Sequence, residues 1–329
     1  MPTLKVLYRA RLLLAVLALL SPAATHAQDF PARPVRIIVT FTVGGAADAT
    51  ARIFADKLAA LWGQGVVVEN RPGAGGSIGA EAVFRAPADG YTLLLATNTH
   101  IINHVLIPKL AFDYTKDFTP LGLVTSAPMV LAVNPSMAAT NLRELTNLIK
   151  AAPGKIPYAS CNVASPHHFA MAIYIHALKL DSTHIPYKGC TPAVTDTLAG
   201  QVNIVAASVP ALIGFARAGT LRPIALLSSK RSAALPNVPT ASESGIPELK
   251  SYGLDNYYGF MAPPGLPPTI QKKLEDDIRS VAGMADTRTR YDAAGLEPLL
   301  LGSAEMIRLI REDAQKYAVA AKQANIKME

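Results

Sequence analysis

Pro34-Val35-Arg36-Ile37-Ile38-Val39-Thr40-Phe41-Thr42-Val43-Gly44-Gly45-Ala46-Ala47-Asp48 reads as a strand, a glycine turn and the first turn of a helix. The strand is a short apolar run rich in β-branched residues and bounded by Pro34. A helical stretch follows from about Ala46 to Trp62. The unit then repeats. Val66 to Val68 is a strand, Asn70-Arg71-Pro72-Gly73 a turn, Ser77 to Arg85 a helix, and Tyr91 to Ala96 a third strand after the turn Ala88-Asp89-Gly90. Strands alternating with helices at this spacing specify a mostly parallel sheet covered by helices.

A second array of similar size starts after the apolar stretch Leu121 to Val133. Asn141, with Glu144 three residues on, resembles a capping box opening a helix to Ala151. Strands are expected at 158–160, 184–186, 202–206 and 222–227, with helices at about 166–178, 192–198 and 210–218. The chain then returns to the first array through an extended segment, Tyr257 to Ala262. Pro267 suits the first turn of a helix. Ile270, Leu274, Ile278 and Val281 line one helical face, and Met306, Ile310, Ala314, Tyr317 and Ala321 line another. These terminal helices need the first sheet to cover, which implies two crossovers between lobes, near residues 125–132 and 250–257.

The N-terminus speaks to the compartment. Lys5, Arg9 and Arg11 precede the apolar run Leu12 to Leu20, and Thr25-His26-Ala27 places small residues at −3 and −1 of a cleavage site. That is the layout of a secretory signal peptide over residues 1–27, too short in its apolar run to span a bilayer. Its removal lowers the net charge from +7 to +4, since all three charged residues lost are basic. No cluster of basic and aromatic residues points to nucleic acid. Both cysteines, Cys161 and Cys190, remain after cleavage; an oxidising compartment favours pairing them, and two buried thiols are the alternative.

Two strand-to-helix junctions can bind a ligand. In open α/β sheets ligands sit beyond the carboxyl ends of strands, and free N–H groups at a helix start favour an anion. Thr40 to Asp48 is one such junction, though Asp48 can equally serve as a plain dipole complement. Ser160-Cys161-Asn162-Val163-Ala164-Ser165-Pro166-His167-His168 is the other, with Ser165 as the expected N-cap. His167 and His168 are adjacent, so on a helix at most one faces a cleft, and His168 is the one assigned to it. Gly73-Ala74-Gly75-Gly76-Ser77-Ile78 misses the dinucleotide fingerprint at its last glycine. His100 and His104 have i,i+4 spacing but no H-E-x-x-H partner, which favours surface or cleft-rim histidines over a metal site. Ser160, His168 and Asp48 could form a hydrolase triad, but no G-x-S-x-G elbow is present.

Pro31-x-x-Pro34-Val35-Arg36-Ile37-Ile38-Val39, Gly44-Gly45-Ala46-x-Asp48, Val68-Glu69-Asn70-Arg71-Pro72-Gly73-Ala74-Gly75-Gly76 and Asp89-Gly90-Tyr91-Thr92-Leu93 resemble the Bug-type receptors. These are the extracytoplasmic substrate-binding proteins of tripartite tricarboxylate transporters. His184-x-Pro186-Tyr187-Lys188-Gly189, Gly200-Gln201-Val202, Leu235-Pro236-x-Val238-Pro239-Thr240 and Gly259-x-x-Ala262-Pro263-x-Gly265 extend the resemblance over essentially the whole mature chain. It implies a two-lobe Venus-flytrap (periplasmic-binding-protein) fold, α/β with mixed, mostly parallel sheets and two interlobe crossovers. The lobes would be residues 28–127 plus 254–329, and 128–253.

The resemblance also implies a small mono- or dicarboxylate ligand held by backbone amides and hydroxyls. The expected ligand set is Phe41, Thr42, Gly44, Gly45, Ala46, Asp48 and Thr97 from the first lobe, and Ser160, Cys161, Asn162, Ser165, His168, Ala207 and Ser208 from the second. A Cys161–Cys190 disulfide is implied too, because some members carry cysteines at these positions. The chain departs from the family at its loops: Thr40, Thr42 and Val43 stand where proline-rich residues are usual, and Asn162-Val163-Ala164-Ser165 lacks two glycines. The expectation is a monomeric periplasmic receptor, without cofactor, metal or catalytic activity, delivering its ligand to membrane transporter subunits. A receptor that signals to a sensor kinase and an exported hydrolase are the other readings.

Overall fold

The computed structural model describes residues 30–107, 110–323 and 326. The signal peptide expected over residues 1–27 lies outside the described residues. Both sheets belong to the unit Arg33–Glu329.

The first sheet has six strands: β1 (Val35–Val39), β2 (Val66–Asn70), β3 (Thr92–Thr97), β4 (Thr119–Ser126), β10 (Tyr257–Ala262) and β11 (Glu297–Leu301), in the order β11-β4-β10-β3-β1-β2. The second has five: β5 (Met129–Val133), β6 (Tyr158–Ser160), β7 (His184–Pro186), β8 (Ile204–Ser208) and β9 (Arg222–Leu226), in the order β7-β6-β8-β5-β9. Helices α1 (Ala46–Trp62), α2 (Ser77–Phe84) and α3 (Asn98–Leu106) follow the first three strands. Helices α4 (Leu142–Ala151), α5 (Pro166–Ala177), α6 (Cys190–Leu198) and α7 (Val209–Arg217) belong to the second array, and α8 (Pro268–Gly283), α9 (Ala285–Ala294) and α10 (Ser303–Gln323) close the chain.

The apolar stretch 121–133 divides into two strands of different sheets. β4 ends at Ser126 in the first and β5 starts at Met129 in the second, so the crossover is Ala127-Pro128. The return crossover leads into β10, and the Ala127 N–H donates to the Asn256 carbonyl at 2.8 Å, tying the two crossovers together. The antiparallel share exceeds the sequence expectation. β1 pairs in parallel with β2 and β3, and β6 with β7 and β8, but β5 and β10 run antiparallel to their neighbours. These two strands arrive straight from the other lobe, so no helix reverses the chain before them.

Burial follows the patterning. Every residue of β3, β5, β8 and β10 is buried, as expected of strands covered on both faces. Leu274, Ile278 and Val281 of α8 and Met306, Ile310 and Tyr317 of α10 face the core, and α10 joins the cluster around Ile38 and Leu94. Pro267 is the N-cap of α8, and Pro268 takes the first-turn position. The same first-lobe cluster takes in Ala164 and Phe169 from α5 and the loop before it. Phe169 meets Tyr317 edge to face at 5.3 Å. The lobes are thus joined by packed side chains as well as by the crossovers.

Candidate functional site

Five helices begin at one cavity. Gly45, Thr97, Ser165, Gly189 and Ser208 are the N-caps of α1, α3, α5, α6 and α7, and all five line it. The first two come from the six-stranded side and the other three from the five-stranded side, because each helix follows a strand whose carboxyl end points into the cleft. The first N–H groups of a helix have no intrahelical acceptor, and the dipoles add positive potential. No side chain caps the starts at Gly45 or Gly189, whereas after Ser208 the Val209 N–H donates to the Pro128 carbonyl at 2.9 Å and Pro210 has no N–H, so that start contributes mainly its dipole. Among the described residues lining the cavity there is no Asp, Glu, Lys or Arg. Its volume is about 40 Å³, room for about three water-sized groups, which is the scale of one carboxylate.

The first-lobe loop is held from behind. Asp48 is buried and accepts from Arg52 Nε at 2.9 Å and Nη2 at 3.0 Å, from the Gly44 N–H at 3.1 Å and from Asn70 Nδ2 at 3.0 Å. Burial pushes its carboxyl up, but the bonds from Arg52, Asn70 and Gly44 outweigh it and leave the group below the usual carboxylate range. Asn70 Nδ2 also donates to the Phe41 carbonyl at 3.0 Å. Asp48 and the Asn-Arg-Pro-Gly turn therefore shape the loop, while Phe41, Thr42, Gly45, Ala46 and Thr97 line the cavity. Gly44 does not line it and instead packs toward Thr191 of the opposite loop.

The second-lobe loop divides in the same way. Cys161, Ser165 and Ser208 line the cavity. Ser160 is fully buried, with Oγ donating to the Asn162 carbonyl at 3.1 Å and lying 2.6 Å from His184 Nε2. Asn162 turns its carbonyl to Ser160 and to Ser165 Oγ, so it supports the turn. Ala207 is buried within β8. His168 stacks on His184 with centroids 3.9 Å apart, and its Nδ1 accepts from the Ala164 N–H at 3.3 Å. Asp48, Ser160, Asn162, His168 and Ala207 thus stand behind the lining residues. Cys161 and Cys190 are joined by a disulfide that ties this loop to the start of α6.

His167, not His168, lines the cavity, together with Ala47, Thr99, Pro166, Gly189, Cys190, Asn256 and Tyr258, none of which stood in the expected ligand set. The helix phase decides between the two histidines, and a pair of neighbours in one sequence does not reveal that phase. Gly189 and Cys190 had a usable signal, since a glycine before a helix start marks the same kind of junction as Gly45.

The other chemistries separate on geometry. His100 is buried rather than at a surface or rim: Nε2 lies 3.0 Å from Thr40 Oγ1 and Nδ1 accepts from the Thr97 N–H at 3.1 Å. Both ring nitrogens are used within the protein, and burial pulls the imidazole down to about 3. His104 Nδ1 lies 3.6 Å from Asp113 instead. The Ser160–His184 contact has no orienting carboxylate among the described residues, and Asp48 is committed to Arg52, so no triad forms. Cys161, His167 and Cys190 bring their ligand atoms within 4.8 Å of one another, but a bonded sulfur is not a thiolate ligand. A larger cavity of about 450 Å³ lies at the crossovers. Asp255, Glu297 and Asp313 line it beside Lys230 and Lys316, and no helix N-cap does, so it suits an anion less well.

Residues 50–326 match the family described as Tripartite tricarboxylate transporter family receptor. The chain belongs to this receptor family. Protein BugT of Bordetella pertussis is 34% identical over 308 residues, 93% of this chain and 94% of that protein. Among solved structures of similar proteins, Rpa4515 of R. palustris with adipate superposes with a TM-score of 0.86 at 30% identity, covering 91% of this chain and 99% of that one. The periplasmic binding protein BugD gives 0.85 at 29% identity, over 91% and 100%. MatC from Rhodopseudomonas palustris with bound malate gives 0.81 at 28%, over 88% and 99%. The family is one of solute-binding receptors, and the fold is the two-lobe periplasmic-binding-protein fold of these neighbours.

Proposed function

We propose that this receptor-family chain works in the periplasm, closing two lobes, residues 28–127 plus 254–329 and 128–253, on a small mono- or dicarboxylate that it delivers to membrane transporter subunits. The observation that carries this reading is the convergence of five helix N-termini, from both sheets, on one cavity lined by uncharged residues. Such a site attracts an anion, and closure brings both sets of donors onto it at once. Charge-assisted hydrogen bonds contribute roughly 1.5–3 kcal/mol each. A few of them reach the roughly −8 kcal/mol of a micromolar receptor after the costs of closure.

Adipate and malate bound to structural neighbours support the carboxylate class. The lining offers no activated nucleophile, which supports binding without turnover. Differential scanning fluorimetry against a panel of mono-, di- and tricarboxylates tests the proposal. At least one should raise the midpoint by several degrees, with saturation confirmed by calorimetry. A flat response to the whole panel refutes it.

A further inference from the structure

The cavity between the helix starts is small, and its walls already meet. Its volume of about 40 Å³ holds about three water-sized groups, which is one carboxylate and little more. Thr42 and Gly189 line it from opposite lobes and touch each other: a Cβ on Gly189 would overlap the Thr42 hydroxyl. Thr42 Oγ1 donates to the Lys188 carbonyl at 3.1 Å, and Thr191 Oγ1 donates to the Val43 carbonyl at 3.4 Å across the same cleft. A long ligand would hold the lobes apart and forgo these bonds.

The polar groups of the lining also suit one carboxylate rather than two. The helix starts at Gly45 and Gly189, one from each lobe, are free of a side-chain cap and can serve its two oxygens. The hydroxyl protons of Thr42 and Ser165 are spent on the Lys188 and Asn162 carbonyls. A second carboxylate would find no Lys or Arg among the described lining residues. Of the cations in the flanking loops, Arg52 is paired with Asp48 and Lys188 is exposed. His167 lines the cavity but is neutral, because burial pulls it down to about 3. A carboxylate taken out of water without a partner carries a large penalty. Resting on the carboxylate reading above, we infer that the ligand is a short monocarboxylate of about two to four carbons, and that Phe41, Thr42 and Gly189 form the wall that sets this limit.

The test measures affinity by calorimetry at pH 7.5 for acetate, propionate, butyrate, hexanoate, malonate and succinate. Methylenes beyond the fit of a closed pocket are costly, so hexanoate should bind at least about tenfold more weakly than the best short acid. Malonate should fall at least about tenfold below propionate, and succinate by as much below butyrate, since each pair differs by the second charge at equal carbon number. Phe41 lines the cavity and is only half-buried, so its ring can be removed to enlarge the space. Phe41→Ala should bring hexanoate to within about twofold of butyrate. It adds room but no cation, so succinate should stay well below butyrate. Retained butyrate binding shows that the variant folds; if it binds nothing, Phe41→Leu, a smaller cut in the same wall, decides by the same comparison.

Hexanoate bound as tightly as the short acids by the wild type overturns the inference, as does either dicarboxylate that equals or exceeds its monocarboxylate partner. An unchanged length limit in a folded Phe41 variant also counts against it. Binding of a larger acid but of none of these six overturns the inference and leaves the carboxylate reading standing. Failure to bind any carboxylate at all refutes that reading itself.

Discussion

Gly189 sits where the two lobes touch, and replacing it with alanine separates closure from folding. Its φ of 136° and ψ of 169° fall in a region that only glycine adopts readily. A Cβ there would overlap Thr42 Oγ1 of the opposite lobe, while the Thr42 Cβ would stay at an ordinary 3.5 Å. Thr42 Oγ1 donates to the Lys188 carbonyl at 3.1 Å, a bond made across the cleft. Two effects follow from one methyl group. The backbone strain, roughly 1–3 kcal/mol, burdens open and closed forms alike and appears as lost stability. The overlap exists only when the lobes meet. Relieving it rotates the Thr42 hydroxyl away, losing a hydrogen bond of roughly 0.5–1.5 kcal/mol and adding about 0.5–1.5 kcal/mol for a side chain off its rotamer. Ligand affinity should therefore fall about tenfold. Thr42→Ala alone loses only the hydrogen bond, and adding Gly189→Ala to it should cost little further affinity. Isothermal titration on the four proteins of this double-mutant cycle reads the coupling directly. Strictly additive losses, or an unchanged affinity in Gly189→Ala, would refute the closing contact between these loops.

Two further outcomes concern stability. Replacing Cys161 and Cys190 by serine opens a loop whose ends are 29 residues apart, and the chain-entropy relation gives a loss of roughly 3–4 kcal/mol; thermal unfolding with and without reductant checks it, and a midpoint indifferent to reductant argues against the bond. The buried histidines make the fold acid-sensitive. His100 and His167 each fall from 6.5 to about 3, so between those pH values the unfolded chain binds more protons and stability rises with pH. Their contribution is complete above about 6.5 and decreases as pH falls toward 3. At pH 5 each costs about 2 kcal/mol. Urea midpoints at pH 7.5 and 5.0 measure the loss, and identical midpoints would show that these imidazoles are not buried neutral.

The fold was legible because its strands and helices announce themselves by period. β1, the glycine turn and α1 read directly from Pro34 to Trp62, and the second array from Asn141 onward reads in the same way. α9 and β11 did not, since in α9 only Thr287 and Tyr291 are buried and no apolar stripe marks the helix. The antiparallel pairing of β5 and β10 was hidden for a different reason: each strand's neighbours are set by where the crossovers deliver it, not by its own residues.

The site divides along the same line. A junction between strand and helix is a local feature, so Phe41, Thr42, Gly45, Ala46 and Ser165 could be found from sequence. Whether a polar residue at such a junction faces the ligand or braces the loop depends on partners far along the chain. Asp48 is claimed by Asn70, and Ser160 by His184. A charged or hydroxyl side chain at a loop attracts attention as a ligand, yet here these groups orient the backbone, and under the proposed reading the helix starts around the cavity are the anion's partners. This arrangement has a consequence for change in specificity. Backbone donors persist through almost any substitution, so on the proposed reading the affinity for an anion would be a property of the fold. Selectivity would then reside in the side chains that line the cavity, such as Phe41, Thr42, Thr99 and Tyr258.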